Sequence, residues 1–274
     1  MNIPLSHYYD WCFVPDKLYN NIVNEFKDNG VSNFMLPDGM LEEFITEPRS
    51  FARIKSFAFT NKISFSDAHL PFGDPFDLFR TEKWQRQQML EAQKRSLAFA
   101  AELGCRTCTA HLGSYDAPEA PGLRPFIIDT LGVLVEEAEQ LDVVLAVENN
   151  MRSSSTSEIL YYMSCFDSPH LGICYDTGHA CVMSRKNLPA AEAEYGLGVA
   201  EAMLPYIVTC HLHDNGGDHD SHKMPGEGII HWDELLAKLC SAPKLLTLQS
   251  EVSMFRNGYS IRYLVETFDW LFKK

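Results

Sequence analysis

Six residues of types that bind metal ions in proteins each end a short apolar run. They are His69, His111, Glu148, Asp176, His211 and Glu251. Successive members lie 42, 37, 28, 35 and 40 residues apart, which is about one strand and one helix each time. If the apolar runs are parallel strands of one barrel, their carboxyl ends converge on a single mouth. Imidazole and carboxylate groups gathered there would form a catalytic metal centre.

The apolar runs alternate with helix-like segments along the whole chain. Strands are predicted at 4–9, 33–36, 56–59 with a continuation near 66–69, 106–111, 143–148, 171–176, 207–213 and 245–251. Helices are predicted at 81–103, 125–141, 188–204, 232–240 and 260–272. Eight strands that alternate with helices indicate an α/β fold, a single (β/α)8 TIM barrel, with residues 1–274 as one domain. The longest polar loops, 182–189 and 214–228, follow strands at the mouth.

Composition and charge exclude several classes of function. A chain of 274 residues, 46% hydrophobic, has enough apolar material for one barrel, which typically needs about 250 residues. The net charge of −14 disfavours nucleic acid as a partner. The chain shows neither a signal-peptide pattern nor an apolar run of the roughly 18 residues that span a bilayer, so we expect a cytoplasmic protein without a membrane partner.

The eight cysteines are scattered, and several lie in strand-like runs. Cys105 and Cys108 form a CxxC pattern within the predicted strand 106–111 and its approach. Successive side chains of a strand point to opposite faces, so these thiols are predicted to be buried and free in a reducing compartment rather than a redox or zinc motif.

Two glutamates and one aspartate are predicted to lie where a carboxylate needs a positively charged partner. Glu148 and Glu251 each follow an apolar run, and a buried carboxylate requires either a cationic partner or a metal. Asp176 begins the run Asp-Thr-Gly-His, in which Gly178 would permit a tight turn and return His179 to the cavity. An alternative is that Asp176 caps the following helix.

Histidines are concentrated at the same predicted rim. His211 and His213 are two residues apart on one strand, so their side chains share a face. Asp220 and His222 follow in the next loop. Six of the ten histidines map to this rim: His69, His111, His179, His211, His213 and His222. Independent accidents of placement do not account for this convergence.

Taken in order, these motifs carry a family resemblance. The runs VENN, ICYDTGHA, CHLHDN and DSHKMPGEGIIHW, followed by a strand that ends in Glu, resemble the xylose isomerase-like TIM-barrel superfamily, the sugar phosphate isomerase/epimerase family, which is related to endonuclease IV. The resemblance covers about 69–251 and implies four metal ligands: Glu148, Asp176, His211 and Glu251. His213 is a rival for the histidine position. The three-zinc endonuclease IV branch implies further ligands at His69, His111, His179, Asp220 and His222.

The resemblance implies a divalent-metal-dependent isomerase or epimerase that acts on a small sugar, keto-sugar or sugar phosphate through an enediolate. Glu148 and Glu251 would transfer the proton. The residues expected to bind substrate hydroxyls are His69, His111, His179, His213 and His222. The metal would be Mn2+, Zn2+, Mg2+ or Co2+.

Two alternatives stay open. The same chemistry serves a keto-sugar dehydratase or lyase, and the full ligand inventory also fits an endonuclease IV-like zinc phosphodiesterase. The acidic charge favours the sugar enzyme. The arginine that ketose 3-epimerases place shortly after their metal histidine has no counterpart in DNGGDHDSHK, which counts against that activity in particular. The sequence also leaves open whether the chain forms a homo-oligomer.

Overall fold

The computed structural model describes residues 3–113, 121–151, 155–187 and 195–273. Within these ranges eight parallel strands close into a barrel in chain order, with the last strand bonded to the first. The strands are β1 (Leu5–His7), β2 (Asn33–Leu36), β3 (Ser64–His69), β4 (Thr107–Ala110), β5 (Val144–Glu148), β6 (Leu171–Asp176), β7 (Ile207–Leu212) and β8 (Thr247–Ser250). The predicted (β/α)8 barrel is confirmed.

Helices connect successive strands on the outside of the barrel. They are α1 (Tyr19–Asp28), α2 (Asp38–Thr46), α3 (Pro48–Asn61), α4 (Lys83–Glu102), α5 (Arg124–Leu141), α6 (Ser155–Ser164), α7 (Thr177–Asn187), α8 (Leu197–Met203), α9 (Trp232–Cys240), α10 (Met254–Asn257) and α11 (Ile261–Lys273). In α5, Ile127, Leu131, Leu134 and Ala138 recur every three or four residues and are all buried, so one apolar stripe faces the barrel. Every helix in the described ranges lacks the length and apolar character that crossing a membrane would require.

The strand predicted at 56–59 is wrong, because this segment lies inside α3. Ile54 and Ala58 are buried, whereas Phe59 is 87% exposed. Burial therefore follows the period of a helix and not the alternation of a strand. The third strand is instead Ser64–His69, which the sequence analysis assigned only as a continuation.

Two other predicted elements also differ from the structure. The segment 182–187, predicted as part of a polar loop, continues helix α7, and 188–189 lie outside the described residues. Of the helix predicted at 188–204, the structure describes a shorter one, Leu197–Met203, and 188–194 lie outside the described residues.

The interior of the barrel beneath the mouth is polar. Thr247 is hydrogen-bonded to Thr107 (Oγ1–Oγ1 2.7 Å) and to Thr209 (2.8 Å), and all three side chains are fully buried. Ser6 donates to the carboxylate of Asp67. Burial raises the pKa of Asp67 to about 7, against the lowering effect of the Ser6 hydrogen bond. Side-chain hydrogen bonds thus connect strands on opposite sides of the barrel.

All eight cysteines lie outside disulfides, and Cys105 and Cys108 are both buried. The prediction that these two are buried, unpaired thiols is confirmed. Burial raises the pKa of each thiol well above its usual range, which keeps both sulfurs protonated and unreactive.

Gly172 on β6 is predicted to be required for close strand packing. A Cβ at this position would lie 2.4 Å from Val208 Cγ1 and 3.0 Å from the Tyr206 carbonyl oxygen. We expect Gly172→Ala to lower the free energy of unfolding by about 1–3 kcal/mol, because overpacking forces the branched Val208 side chain to move. Urea denaturation would measure this. The matched control is Gly198→Ala in α8, where a Cβ meets open space. Equal stability of the two variants would contradict the prediction.

Candidate functional site

The carboxyl ends of six strands deliver acids and imidazoles to one mouth. These are His69 on β3, His111 directly after β4, Glu148 on β5, Asp176 on β6, His211 on β7 and Glu251 directly after β8. The register pairs Asp176 with His211 across neighbouring strands. Because every strand is parallel, these ends meet at the same edge of the barrel.

Four of these residues form a central cluster. Glu148, Asp176, His211 and Glu251 each offer one ligand atom, and these atoms all lie within 4.8 Å of one another. His211 Nδ1 lies 3.2 Å from Glu148 Oε1 and 3.1 Å from Glu251 Oε2. The distance from His211 Nδ1 to Asp176 Oδ2 is 3.9 Å. The cluster could hold a metal ion.

The atoms of this cluster fit a cation because two of them are buried without hydrogen bonds. His211 Nδ1 and Glu251 Oε2 make none within the part of the chain that the structure describes. His211 Nε2 lies 3.3 Å from Thr109 Oγ1, so the ring is held from behind and Nδ1 points at the carboxylates. Buried polar atoms are normally satisfied, and a cation between nitrogen and carboxylate would satisfy both.

Three flanking histidines are oriented by the backbone. His69, His179 and His222 each donate the Nδ1–H to a carbonyl oxygen. The acceptors are, in the same order, Leu70 at 2.9 Å, Asn149 at 2.9 Å and Glu251 at 2.8 Å. Each Nε2 then faces a carboxylate, Glu148 or Asp220, at 2.7–3.4 Å. Metal-binding histidines usually donate their second ring N–H in this way.

Besides a group formed by Glu148, Cys174 and His211, two further groups of residues adjoin the central cluster. One is His69, His111 and Glu148, with His111 Nε2 only 2.6 Å from Glu148 Oε2. The other is His213, Asp220 and His222. The rings of His213 and His222 stack at 4.0 Å with an interplanar angle of 9°. His213 thus lies with the second group, whereas His211 lies with the central four.

Asp176 has two roles, because its carboxylate also starts helix α7. Oδ1 accepts the backbone N–H of His179 at 2.6 Å, and His213 Nε2 lies 3.0 Å from Oδ2. The capping alternative and the cluster position are therefore both observed. The tight turn expected at Gly178 is wrong: this residue lies in the first turn of α7, and its φ is not positive. Gly178 instead leaves room for His213, since a Cβ there would lie 1.9 Å from the imidazole Cε1.

The loop 214–228 is held by Asp214, the acid of the run HLHDN. Its carboxylate accepts the Trp232 indole N–H at 2.8 Å and the Gly226 backbone N–H at 2.9 Å. Asp214 therefore shapes the loop and does not join the cluster. His222 in this loop has φ 44°, in the left-handed region that costs a non-glycine residue about 1 kcal/mol or more. This backbone conformation directs His222 Nε2 toward the carboxylate of Asp220, and that contact offsets the strain.

Burial and charge oppose each other at these groups. Burial raises the pKa of Glu148, but His111 and His211 hold that pKa well below its usual value. Burial lowers the pKa of His179, but the charge of Asp176 and the hydrogen bond to Asp220 raise it well above the ordinary range. In the metal-free protein, protons on imidazoles therefore compensate the carboxylates at neutral pH.

A cavity of about 220 Å³ opens over the cluster, and part of its lining was missed by the sequence analysis. The residues missed include Tyr8, Asp10, Asp38, Phe72 and Arg256. Each lies within a few residues of the carboxyl end of a strand, where barrel enzymes place their loops. The run Tyr-Tyr-Asp directly after β1 was the available signal.

Comparison with known proteins places this barrel in a family. Residues 23–245 match the sequence profile described as xylose isomerase-like TIM barrel. The chain belongs to this family. The superfamily resemblance inferred from the ordered motifs is thereby confirmed.

Two relatives of this xylose isomerase-like barrel are described as uncharacterized proteins. The chain is 30% identical over 185 residues to MJ1311 of Methanocaldococcus jannaschii, which covers 62% of this chain and 58% of that protein. It is 25% identical over 181 residues to y4fM of Sinorhizobium fredii, which covers 63% of this chain and 55% of that protein. The chain thus spans less than two thirds of the length of these relatives.

Solved structures share the fold over nearly the whole chain. A xylose isomerase-like TIM-barrel protein from Mycobacterium smegmatis in complex with magnesium has a TM-score of 0.75 at 12% identity, covering 99% of this chain and 96% of that one. D-psicose 3-epimerase with D-tagatose from Clostridium cellulolyticum has a TM-score of 0.72 at 13% identity, covering 99% and 98%. The TTHB071 protein from Thermus thermophilus, soaked with ZnCl2, has a TM-score of 0.66 at 22% identity, covering 100% and 97%.

The histidine–carboxylate pairs predict that the metal-free xylose isomerase-like barrel loses stability at alkaline pH. Burial lowers the pKa of His222, but the hydrogen bond to Asp220 raises it to about 9 from an ordinary value of 6.5. Since the folded pKa is raised, this contribution is complete below pH 6.5 and is lost as the pH rises through 9. With chelator present, we expect the free energy of unfolding to fall by up to about 3 kcal/mol from this pair over that window.

Urea denaturation at about pH 6 and about pH 9.5, on either side of this window, would measure the loss. His222→Asn should remove most of it, because Asn has no proton to lose in this range. The control is His219→Asn, since His219 lies in the same loop with a side chain that is 70% exposed. A full alkaline loss in His222→Asn would refute the assignment.

Proposed function

We propose that this chain is a divalent-metal-dependent isomerase or epimerase of a small sugar or keto-sugar. The observation that carries the proposal is the convergence of Glu148, Asp176, His211 and Glu251 within 4.8 Å, beneath a cavity lined by further histidines. The resemblance in fold to a solved D-psicose 3-epimerase supports a sugar substrate. The acidic net charge of −14 supports it also, because it repels nucleic acids.

The residues present fit a divalent ion. Three carboxylates and one imidazole are a donor set that Mn2+, Zn2+, Mg2+ or Co2+ accepts. When bound, such an ion polarises the substrate carbonyl and makes the proton on the adjacent carbon more acidic. Thr109 would keep the Nδ1 of His211 turned toward the ion, as it does now toward the carboxylates.

Glu148 and Glu251 would move the proton. Removing a proton from the carbon beside the carbonyl of a hydroxy-ketone or hydroxy-aldehyde leaves an enediolate. Return of the proton to the neighbouring carbon gives isomerisation, and its return to the opposite face of the same carbon gives epimerisation. The neighbouring histidines lower the pKa of both glutamates in spite of burial, so each is an ionised base at neutral pH. Both lie within 3.2 Å of the same nitrogen of His211.

The histidines around the cavity would bind and orient the substrate. His69, His111, His179 and His222 line the cavity and can donate to hydroxyl groups. His213 is fully buried behind them, between Asp176 and the ring of His222. We therefore assign His213 to hold these two residues in place and not to contact the substrate.

A second candidate function is an endonuclease IV-like zinc phosphodiesterase. One observation favours it: the two outer groups, His69–His111–Glu148 and His213–Asp220–His222, provide donor atoms for more than one ion. A keto-sugar dehydratase would use the same proton abstraction and lose a hydroxyl from the intermediate. The metal content and the substrate distinguish the three.

Metal removal provides the first test. We expect chelator to abolish isomerisation of a ketose by the purified protein, and Mn2+ or Co2+ to restore it. Elemental analysis of protein purified without chelator should find one ion per chain. Three zinc ions per chain, together with salt-sensitive cleavage of duplex DNA at an abasic site, would replace the sugar enzyme with the phosphodiesterase.

Substitution of the two glutamates provides the second test. Glu148→Gln and Glu251→Gln keep the shape of the side chain and remove the base, so each should lower turnover by about two to four orders of magnitude. Metal affinity, measured by calorimetry, should fall much less. Solvent deuterium should enter the carbon next to the carbonyl during turnover by the unmodified enzyme. Glu91→Gln, at an exposed site on α4, is the control. Near-normal turnover in both site variants would exclude the assignment.

A further inference from the structure

A second cavity lies beside the mouth of the barrel, and the proposed reaction does not use it. Its volume of about 320 Å³ exceeds the 220 Å³ of the cavity over the cluster and falls within the roughly 300–1,000 Å³ of ligand pockets. We call it the α10 cleft. Its lining comprises Tyr9, Glu25, Met254, Phe255, Gly258 and 259–261.

Helix α10 and its flanking residues form a wall between the two cavities. Ser253 and Arg256 line the cavity over the cluster. Met254 and Phe255, from the same short segment, line the α10 cleft. A ligand in the cleft would therefore contact side chains that the metal-type cluster and its substrate do not reach.

Aromatic rings form much of the α10 cleft. Tyr9, Phe255 and Tyr259 all line it. The rings of Tyr9 and Phe255 meet at 65° with their centroids 5.7 Å apart, and Phe255 leaves 54% of its surface exposed. An aromatic side chain exposed to this extent forgoes the hydrophobic free energy that burial would give it. A ligand that packs against the open ring of Phe255 would recover part of that free energy.

The α10 cleft carries negative charge. Glu25 on α1 is the only charged side chain among the described residues that line it. Tyr9 is 8% exposed, and its hydroxyl forms no hydrogen bond with another described residue. Burial and the nearby charges of Glu25 and Asp10 raise the pKa of Tyr9, so the phenol stays neutral. A phenol oxygen and a carboxylate can both accept hydrogen bonds from a cation.

The basic side chains of the surrounding elements are engaged elsewhere. Arg256 lines the cavity over the cluster. Arg262 Nε donates to Glu266 Oε1 at 2.7 Å, and Lys27 Nζ donates to a backbone carbonyl at 3.0 Å. Within the part of the chain that the structure describes, Glu25 forms no ion pair. The negative charge of the cleft is therefore available to a ligand.

Tyr259 is polarised in the direction that a cation prefers. Its hydroxyl donates to Glu227 Oε2, and burial together with this hydrogen bond raises the pKa of Tyr259 to about 12. Donation to a carboxylate makes the ring richer in electrons, and the electron-rich face of an aromatic ring attracts cations. Glu227 also accepts the Tyr263 hydroxyl at 2.7 Å. A second carboxylate thus lies behind this side of the cleft.

The start of helix α11 does not turn the cleft into an anion site. Ser260 and Ile261 belong to the lining, and the unpaired N–H groups of a helix start attract anions. Here the Ser260 hydroxyl accepts the N–H of Tyr263 at 3.2 Å. Glu25, in the same lining, would repel an anion. The aromatic rings and the carboxylate favour a cation instead.

We propose that the α10 cleft binds a small organic ammonium ion, with its apolar groups against the ring of Phe255 and its charge close to Glu25. The net charge of −14 favours such a ligand further, because it raises the local concentration of cations. The site is separate from the metal-type cluster, so it stands whether or not the proposed reaction is correct.

A titration followed by the nuclear magnetic resonance signals of the ligand tests the proposal on protein purified without chelator. The probes are choline and its neutral isostere 3,3-dimethylbutan-1-ol. We expect choline to bind at least about 10-fold more tightly, because only choline carries the charge that the rings attract. Phe255→Leu keeps the apolar bulk and removes the aromatic face. It should weaken choline binding by about 3- to 10-fold and leave the isostere unchanged. Glu25→Gln should weaken choline binding by about 2- to 5-fold, the range for an exposed ion pair.

Phe59→Leu and Glu91→Gln are the matched controls and should bind choline as the unmodified protein does. Phe59 is 87% exposed on α3, and Glu91 is exposed on α4. Phe255 and Glu25 are exposed as well, so their variants are expected to fold. Circular dichroism would verify this.

Four outcomes would overturn the proposal. Choline binding that survives both Phe255→Leu and Glu25→Gln would place the cation over the acidic cluster. Choline that binds no more tightly than its isostere would show that charge plays no part. Sulfate that binds more tightly than choline would make the cleft an anion site. A dimer in sedimentation experiments, weakened by Phe255→Leu, would show that a second copy of the chain covers the cleft.

Discussion

The burial of several carboxylates under one barrel mouth is the constraint on which this structure depends. Glu148, Asp176 and Glu251 lie within 4.8 Å of a shared imidazole, and Asp220 adjoins them. An uncompensated ion in a protein interior costs several kcal/mol, so positive charge must be supplied either by protonated histidines or by a bound cation. Both sources use the same atoms. Protonated histidines and a bound cation would therefore be alternative solutions to one electrostatic problem, with protons exchanged for the ion on binding.

The barrel meets this constraint with two layers of support. Backbone carbonyls and Thr109 fix the tautomer and direction of the histidines, and the side chain of Asn149 bonds both the N–H and the carbonyl of Asp176. Below them the hydrogen-bonded threonines Thr107, Thr209 and Thr247 join strands across the interior. Hydrogen bonds are directional, so this layer restrains the position of each strand end in a way that apolar contacts would not. Such restraint is what a site with atomic tolerances requires.

Much of the fold and of the cluster can be predicted from local sequence. Each strand of the barrel shows the same apolar pattern, and the residues of the cluster come at the ends of these strands. The helix Trp232–Cys240 has the bounds predicted for it. The four residues of the central cluster are among the six singled out by type and spacing, and the family resemblance is what distinguished them as metal ligands. The segment 56–59 was misassigned because its two phenylalanines belong to a residue type that is enriched in strands, and the sequence does not show which of them is buried. Asp10 was not predicted as part of the cavity for a related reason. A single acid after a strand is ordinary, and only the tertiary structure shows that it lines the cavity.

The double engagement of Asp176 has an evolutionary consequence. The same carboxylate that adjoins His211 also accepts the N–H that starts helix α7, so most replacements would damage folding along with the cluster. Asparagine is the exception, because it caps helices about as well as aspartate while it removes the negative charge. A lineage that abandons this chemistry but keeps the barrel therefore has one short mutational route at position 176. Among descendants of such a protein, asparagine there would mark the loss of the proposed reaction, and hydrophobic residues would be rare.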